Sequence, residues 1–402
     1  MASNSWVKPR HYVIQEVLCA LLRPFVCLKY NIRIEPLPRG NKGPYLLLYN
    51  HQTAYDQFFV GMAVPRPIYY LATEDIFSLG WISSVLRWLV APIPIKKQTM
   101  DIQAVKTCIR VAREGGTLAI APEGNRTYSG KTEYINPSIA SLAKKLGLPI
   151  LLCRIEGGFG VHPRWSDTVR RGRMRCYVAE IISPEEYADM SKGELARRIT
   201  DGLYVNEAND EQYFRHPKKA EYLERAIYYC PRCGLSTFRS ERDTLTCQQC
   251  GLSVTYGVDT HLQCADGDFP FDFVSQWYDY QKDEMNRLDP THVTYAPLYE
   301  ETVALYRVLL YRKKVLLDKA VTLSLYGDRL ILRRSDGGEQ ILPFSETDAI
   351  TVLGKNKLNI YAGEDVFQIQ GGPRFNALKY VHIFNRCKNI LRGEPDDQFL
   401  GL

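Results

Sequence analysis

The chain has 402 residues, 45% of them hydrophobic, which is enough for two or three packed domains and too apolar for a disordered chain. Its 51 basic and 45 acidic residues leave a net charge of +6, compatible with an anionic membrane surface and too slight to argue for nucleic acid. Eleven cysteines, four of them in Cys-x-x-Cys pairs, point to a reducing compartment and a metal rather than to disulfides, and no signal peptide is visible.

Residues 11–30 place Ile14, Val17, Leu18, Leu21, Leu22, Phe25 and Val26 at helical spacing, interrupted by Glu16, Arg23 and Pro24. The pattern predicts a helix that either packs on a core or dips into a headgroup layer, and one too interrupted to span. Tyr45-Leu46-Leu47-Leu48-Tyr49 then reads as a short buried strand entering Asn50-His51-Gln52-Thr53-Ala54-Tyr55-Asp56. His51 and Asp56 are five apart, which puts them on opposite faces of a strand and about 140° apart on a helix. They meet only if the chain turns between them. At a strand-to-helix junction Asp56 would hold one imidazole nitrogen and leave the other as a base. The bland alternative is a capping Asn50 beside a surface histidine.

Residues 67–71 form a strand candidate, and the stretch from Ile76 to Val90, with Trp81 and Trp88, reads as an interfacial or core helix. Ala91-Pro92-Ile93-Pro94-Ile95 leads to Lys96-Lys97, and residues 101–113 predict a helix stopped by Gly115-Gly116. The strand Thr117-Leu118-Ala119-Ile120-Ala121 delivers Pro122-Glu123-Gly124-Asn125-Arg126-Thr127 at its carboxyl end. A guanidinium fork, a backbone amide without a Cβ and a hydroxyl suit an oxyanion. A helix over 137–146 and a strand over 148–152 continue the alternation that implies an α/β layered domain.

The two motifs together resemble the glycerolipid acyltransferase superfamily that includes the lysophosphatidic acid acyltransferases, with signatures His-x4-Asp and Glu-Gly-x-Arg-Ser/Thr. The 72 residues from His51 to Glu123 also resemble that family's spacing. The likeness covers roughly residues 10–205. It implies His51 as general base, Asp56 as its orienting acid, and Glu123, Gly124, Arg126 and Thr127 as the acceptor-binding loop. A basic residue after the strand at 93–95 would assist, here Lys96 or Lys97. The implied reaction moves a fatty acyl group from acyl-CoA or an acyl carrier protein to the sn-2 hydroxyl of lysophosphatidate. The alternatives are another acceptor (a lysophospholipid or an acylated amino acid), or an inactive membrane adaptor. One departure stands out: Asn136-Pro137-Ser138 occupies the place of the family's Lys-x-Gly element. The likeness also favours membrane contact for residues 1–31 and a peripheral position on the cytoplasmic side of a membrane.

Residues 32–205 are accordingly read as the acyltransferase domain. Within it, residues 161–176 hold Arg164, Arg170, Arg171, Arg173 and Arg175 against Asp167, either a solvated basic hairpin or a patch for anionic headgroups, coenzyme A phosphates or an acidic carrier protein. Residues 206–226 read as a helical connector. In 227–258, Cys230-Pro231-Arg232-Cys233-Gly234 and Cys247-Gln248-Gln249-Cys250-Gly251 are the two knuckles of a zinc ribbon, whose four thiolates close a structural Zn²⁺ site; a rubredoxin-like iron site uses similar knuckles. Residues 259–298 are an aromatic linker with a docking helix. Residues 299–402 show seven short strands and a closing helix, resembling a pleckstrin-homology-like β-barrel at fold level alone.

Overall fold

A computed structural model describes residues 5–38, 40, 43–78, 80–95, 101–208, 212–265, 267, 269–309 and 312–394. The chain divides into two compact units: Met1–Arg164 with Val169–His216, and Trp165–Thr168 with Pro217–Leu402.

The first unit is built on strands β1 (Ile32–Ile34), β2 (Leu46–Tyr49), β3 (Ile68–Thr73), β4 (Ile93–Ile95), β5 (Thr117–Ile120), β6 (Ile150–Glu156) and β7 (Met174–Ile182). Their order in the sheet is β1-β7-β6-β2-β5-β3-β4. The helices are α1 (Arg10–Tyr30), α2 (Asp56–Ala63), α3 (Trp81–Val90), α4 (Ile102–Arg113), α5 (Ser138–Leu146), the short α6 (Gly158–Val161), α7 (Pro184–Ala188) and α8 (Lys192–Leu203). Strand β2 is central and buried throughout, and its alternating side chains feed two cores. Leu47 and Tyr49 pack with Phe59, Val60 and Leu151, whereas Leu46 and Leu48 pack with Leu118, Ile139 and Leu195. A sheet covered on both faces explains why β2 and β5 read as unbroken apolar runs. The two strands lie side by side and parallel, Leu46 opposite Leu118 and Leu48 opposite Ile120, so both motifs leave the sheet at the same edge. Asp101 starts α4 by accepting from the Ala104 amide. Strand β7, antiparallel to β6, and the capping boxes that begin α7 and α8 (Ser183 with Glu186, Ser191 with Glu194) were not anticipated.

Helix α1 runs unbroken through Pro24, and by length and composition it is apolar enough to cross a membrane, contrary to the expectation that its charges and proline interrupt it too often. Its 21 residues reach about 31 Å at the helical rise. One face is fastened to the unit: His11 Nδ1 lies 2.8 Å from the Tyr69 hydroxyl, Gln15 donates to the Gly61 carbonyl, and Tyr30 meets Phe59 edge-on. The other face exposes Val13, Val17, Leu21, Phe25 and Leu28, the last at 85%. Helix α3 packs beside α1 and exposes Trp81 (76%) and Trp88, with the Arg10 guanidinium over the Trp88 ring.

Two expectations need correction. Arg164 and Arg170 are each 2% exposed, so of the five arginines in residues 161–176 only Arg171, Arg173 and Arg175 reach the surface. Arg175 pairs with Glu35. The connector is not a helix: among its described residues only the single turn Leu223–Arg225 is helical, because Pro217 and scattered charges leave no apolar face to bury.

The second unit contains β8 (Tyr229–Cys230), β9 (Gly234–Leu235), β10 (Phe238–Glu241), β11 (Thr244–Cys247), β12 (Ser253–Tyr256), β13 (Leu262–Cys264), α9 (Val274–Arg287), β14 (Tyr299–Arg307), β15 (Val315–Leu325), β16 (Arg329–Arg333), β17 (Glu339–Pro343), β18 (Ala349–Leu353), β19 (Lys357–Ala362), β20 (Asp365–Gln370) and α10 (Leu378–Leu391). Strands β10 to β13 form an antiparallel sheet in sequence order. Helix α9 buries Val274, Trp277, Tyr278 and Met285, and the Trp277 indole donates to the Tyr229 carbonyl beside the first knuckle. Strands β14 to β20 make one curled antiparallel sheet, order β17-β16-β15-β14-β20-β19-β18, closed by α10. Asp167 lies in this unit, bound by Arg225 and Lys355.

Candidate active site and metal centre

Strand β2 ends at Tyr49, the chain turns through residues 50–55, and α2 begins at Asp56. This is the strand-to-helix junction that a five-residue separation requires. His51 Nδ1 donates to Asp56 Oδ2 at 2.7 Å. The same oxygen accepts from the amides of Gln52 (2.7 Å) and Thr53 (2.9 Å), and Oδ1 accepts from the Thr53 hydroxyl (2.7 Å). Asp56 is fully buried, so its position is fixed by donors rather than by solvent. A carboxylate on Nδ1 leaves Nε2 as the basic nitrogen. The His51 side chain is 23% exposed, and Nε2 carries no hydrogen bond among the described residues. Burial lowers the imidazole's pKa, opposed by Asp56 and reinforced by the positive fields of Arg126 and Arg164. Near neutral pH the ring is therefore held unprotonated, the form a general base needs.

The second motif is bound directly to the first. Glu123 Oε1 accepts from the His51 amide at 2.7 Å, and Oε2 accepts from the Glu133 amide at 2.8 Å. Burial pushes this carboxyl up to about 8, against the two amides that pull it down. Glu123 thus shapes the turn under the histidine. Gly124 sits at φ +71°, where any Cβ is strained, and its amide donates to the Ala121 carbonyl. The amide of Thr127 donates to the His51 carbonyl, and its buried hydroxyl donates to the Lys131 carbonyl while receiving the Gly130 amide. Gly124 and Thr127 therefore act on the loop's own backbone, leaving Arg126 as the group offered outward. Its Nη1 is buried with no hydrogen-bond partner among the described residues, and desolvation together with the repulsion of Arg164 draws its pKa down to about 10. A buried cationic nitrogen without an acceptor is costly. An incoming anion would satisfy it.

Lys96 and Lys97 lie outside the described residues. The sequence reading missed Asn125 and Arg164: the Arg164 guanidinium donates to the Arg126 carbonyl (2.9 Å) and to Asn125 Oδ1 (3.2 Å), and lies over the Tyr128 ring at 4.3 Å. The available signal was an arginine three residues after the Gly-rich run Gly157-Gly158-Phe159-Gly160-Val161, which a charge count hides.

In the second unit the four knuckle cysteines bring their Sγ atoms within 4.8 Å of one another. Cys230–Cys250 and Cys233–Cys247 are both 3.6 Å apart, close to the ~3.8 Å edge of a tetrahedron with ~2.3 Å metal–sulfur bonds. Gly234 (φ +81°) and Gly251 (φ +77°) provide the left-handed turn after each knuckle. The cluster can hold a metal ion.

Residues 29–156 match the family model described as Acyltransferase, a stretch holding both motifs, and an acyltransferase domain is thereby supported. Among similar proteins is the 1-acyl-sn-glycerol-3-phosphate acyltransferase of Bacillus subtilis, 21% identical over 160 residues, which are 40% of this chain and 77% of that protein. The chloroplastic 1-acyl-sn-glycerol-3-phosphate acyltransferase of Arabidopsis thaliana is 21% identical over 201 residues, 49% of this chain and 54% of that one. A Brassica napus chloroplastic enzyme of the same name is likewise matched over 49% of its length, so the chain spans about half of these plant relatives. The crystal structure of the 1-acyl-sn-glycerophosphate acyltransferase from Thermotoga maritima aligns with a TM-score of 0.41 and 21% identity, covering 48% of this chain and 78% of that one.

Proposed function

We propose that the first unit transfers a fatty acyl group from an acyl thioester, acyl-CoA or an acyl carrier protein, to the sn-2 hydroxyl of lysophosphatidate. The observation that carries this reading is the His51–Asp56 pair joined through the Glu123 bridge to an Arg126 nitrogen that has no partner among the described residues. On this reading a base and an anion receptor stand on adjoining loops. Arg126 takes the acceptor's phosphate. His51 Nε2 removes the hydroxyl proton as the oxygen attacks the thioester carbonyl, and Asp56 stabilises the imidazolium that forms. Collapse of the tetrahedral intermediate breaks the C–S bond, and the imidazolium returns its proton to the departing thiolate. Neither motif loop offers a nucleophile, the Thr127 hydroxyl being engaged, so acyl transfer is direct.

The exposed faces of α1 and α3 supply the membrane contact. A helix fastened to its own domain through His11 and Tyr30 lies along the bilayer surface instead of crossing it, giving peripheral attachment, on the cytoplasmic side. In the second unit the four cysteines hold structural Zn²⁺ as a ribbon, and the curled sheet is a pleckstrin-homology-like accessory domain. The test is transfer of radiolabelled acyl groups to lysophosphatidate by the purified chain with each thioester. His51→Ala should lose at least about 100-fold while keeping its fold and metal. Transfer undiminished in that variant would rule out the reading.

A further inference from the structure

The end of β6 and the segment that follows it grip both motif loops. Asn50 exchanges two hydrogen bonds with the backbone of Ile155, at 2.8 and 2.7 Å, and Gln52 Oε1 accepts from the Phe159 amide at 2.9 Å. The approach is close enough that a Cβ on Gly158 would stand 2.6 Å from the Gln52 Cβ. At the far end of the segment Arg164 directs its fork at the other loop, onto the Arg126 carbonyl and the Asn125 side chain, with its plane over Tyr128. One short stretch thus fixes the base loop through Asn50 and Gln52, and the anion loop through Arg164.

Arg164 also keeps a second buried positive charge beside Arg126. Like charges held together away from water are unfavourable until an anion sits between their fields, and the gain then grows with the anion's charge. We propose that Arg164 is the positioning residue of the Arg126 loop and biases the site toward a phosphate monoester, with two negative charges, over a phosphodiester with one. This rests on the acyl-transfer reading and narrows its substrate class.

The experiment compares full-length Arg164→Gln and Arg164→Lys with the wild type on lysophosphatidate (a monoester) and lysophosphatidylglycerol (a diester). Arg164→Gln should raise the KM for lysophosphatidate about tenfold or more and narrow the preference between the two acceptors to a similar degree. The thioester KM should stay within about twofold. Arg164→Lys keeps the charge and loses the fork, so it should retain the preference while kcat falls. A second readout needs no turnover: the pH midpoint of the His51 ring by NMR. His51 faces Asp56, Glu123, Tyr49, Arg126 and Arg164, and removing one of its two positive neighbours should move the midpoint up in Arg164→Gln but not in Arg164→Lys. An unchanged preference and midpoint in Arg164→Gln overturns the proposal. If Arg164→Gln does not fold, Arg164→Lys decides: kinetics like the wild type would overturn it, and a lowered kcat with intact preference supports it. A wild type inactive on both acceptors defeats the acyl-transfer reading instead, and the His51 midpoint still decides whether Arg164 acts on this site.

Discussion

Replacing Asp56 with asparagine tests the charge of the pair separately from its geometry. Asp56 Oδ2 meets three donors, His51 Nδ1 and the amides of Gln52 and Thr53, while Oδ1 meets the Thr53 hydroxyl at 2.7 Å and the Thr53 amide at 3.0 Å. An asparagine carbonyl therefore belongs at the Oδ2 position. Its NH₂ then faces a hydroxyl that can rotate to accept, and the Thr53 amide remains bonded at the other oxygen. His51 keeps its tautomer and position, and only the negative charge is lost. A hydrogen bond to a charged group contributes ~1.5–3 kcal/mol against ~1 for a neutral one, and the difference falls mainly on the imidazolium formed during transfer. With further loss of field at a buried site, ~2–3 kcal/mol of the barrier is at stake, or roughly 30- to 150-fold in kcat. The sign of the pH effect follows from the same contacts. Asp56 raises the His51 pKa, whereas burial, Arg126 and Arg164 lower it. Without the carboxylate the ring stays neutral to lower pH, so the acid limb of the rate profile should move down. The assay is thiol release from an acyl thioester with lysophosphatidate as acceptor, followed between pH 4.5 and 8.5. A loss below about fivefold, or an acid limb displaced upward, would refute the assigned role.

Arg126→Ala should raise the acceptor KM about tenfold or more with the thioester KM little changed, since the proposed phosphate contact is its Nη1, which has no hydrogen-bond partner among the described residues; a collapse of thioester affinity instead would reverse the proposed geometry. Cys247→Ser should abolish the proposed Zn²⁺ binding, measured by elemental analysis, and lower the thermal transition of the second unit before it affects transfer, because a site closed by four thiolates would contribute folding energy and no Lewis acidity. Leu21→Glu combined with Trp81→Glu should reduce co-sedimentation with anionic vesicles by about tenfold or more, with little gain in stability of the bound fraction at low salt; retention of wild-type binding would detach α1 and α3 from the membrane.

Much of the site was legible because its chemistry is local. The spacing of His51 and Asp56 admits a contact only across a turn, and the apolar runs before His51 and before Glu123 are dictated by burial on both sheet faces. The paired knuckles likewise carry their own turn geometry in Gly234 and Gly251. Side-chain destinations beyond a few residues were not legible. The arginines at 164 and 170 read as surface charge because a sequence counts charges without saying which are enclosed, and Arg164 meets the Arg126 loop only because the chain after β6 carries it there. The Thr127 hydroxyl is a donor suited to an anion, yet its own loop folds the Lys131 carbonyl and Gly130 amide onto it, while the adjacency of β2 and β5 brings the His51 amide to Glu123. Sequence alone determined which residues could act as base, acid and anion receptor. The parallel pairing of two strands more than sixty residues apart decided which of them were left free to do so, since a polar group is available to a ligand only where the fold gives it no nearer partner.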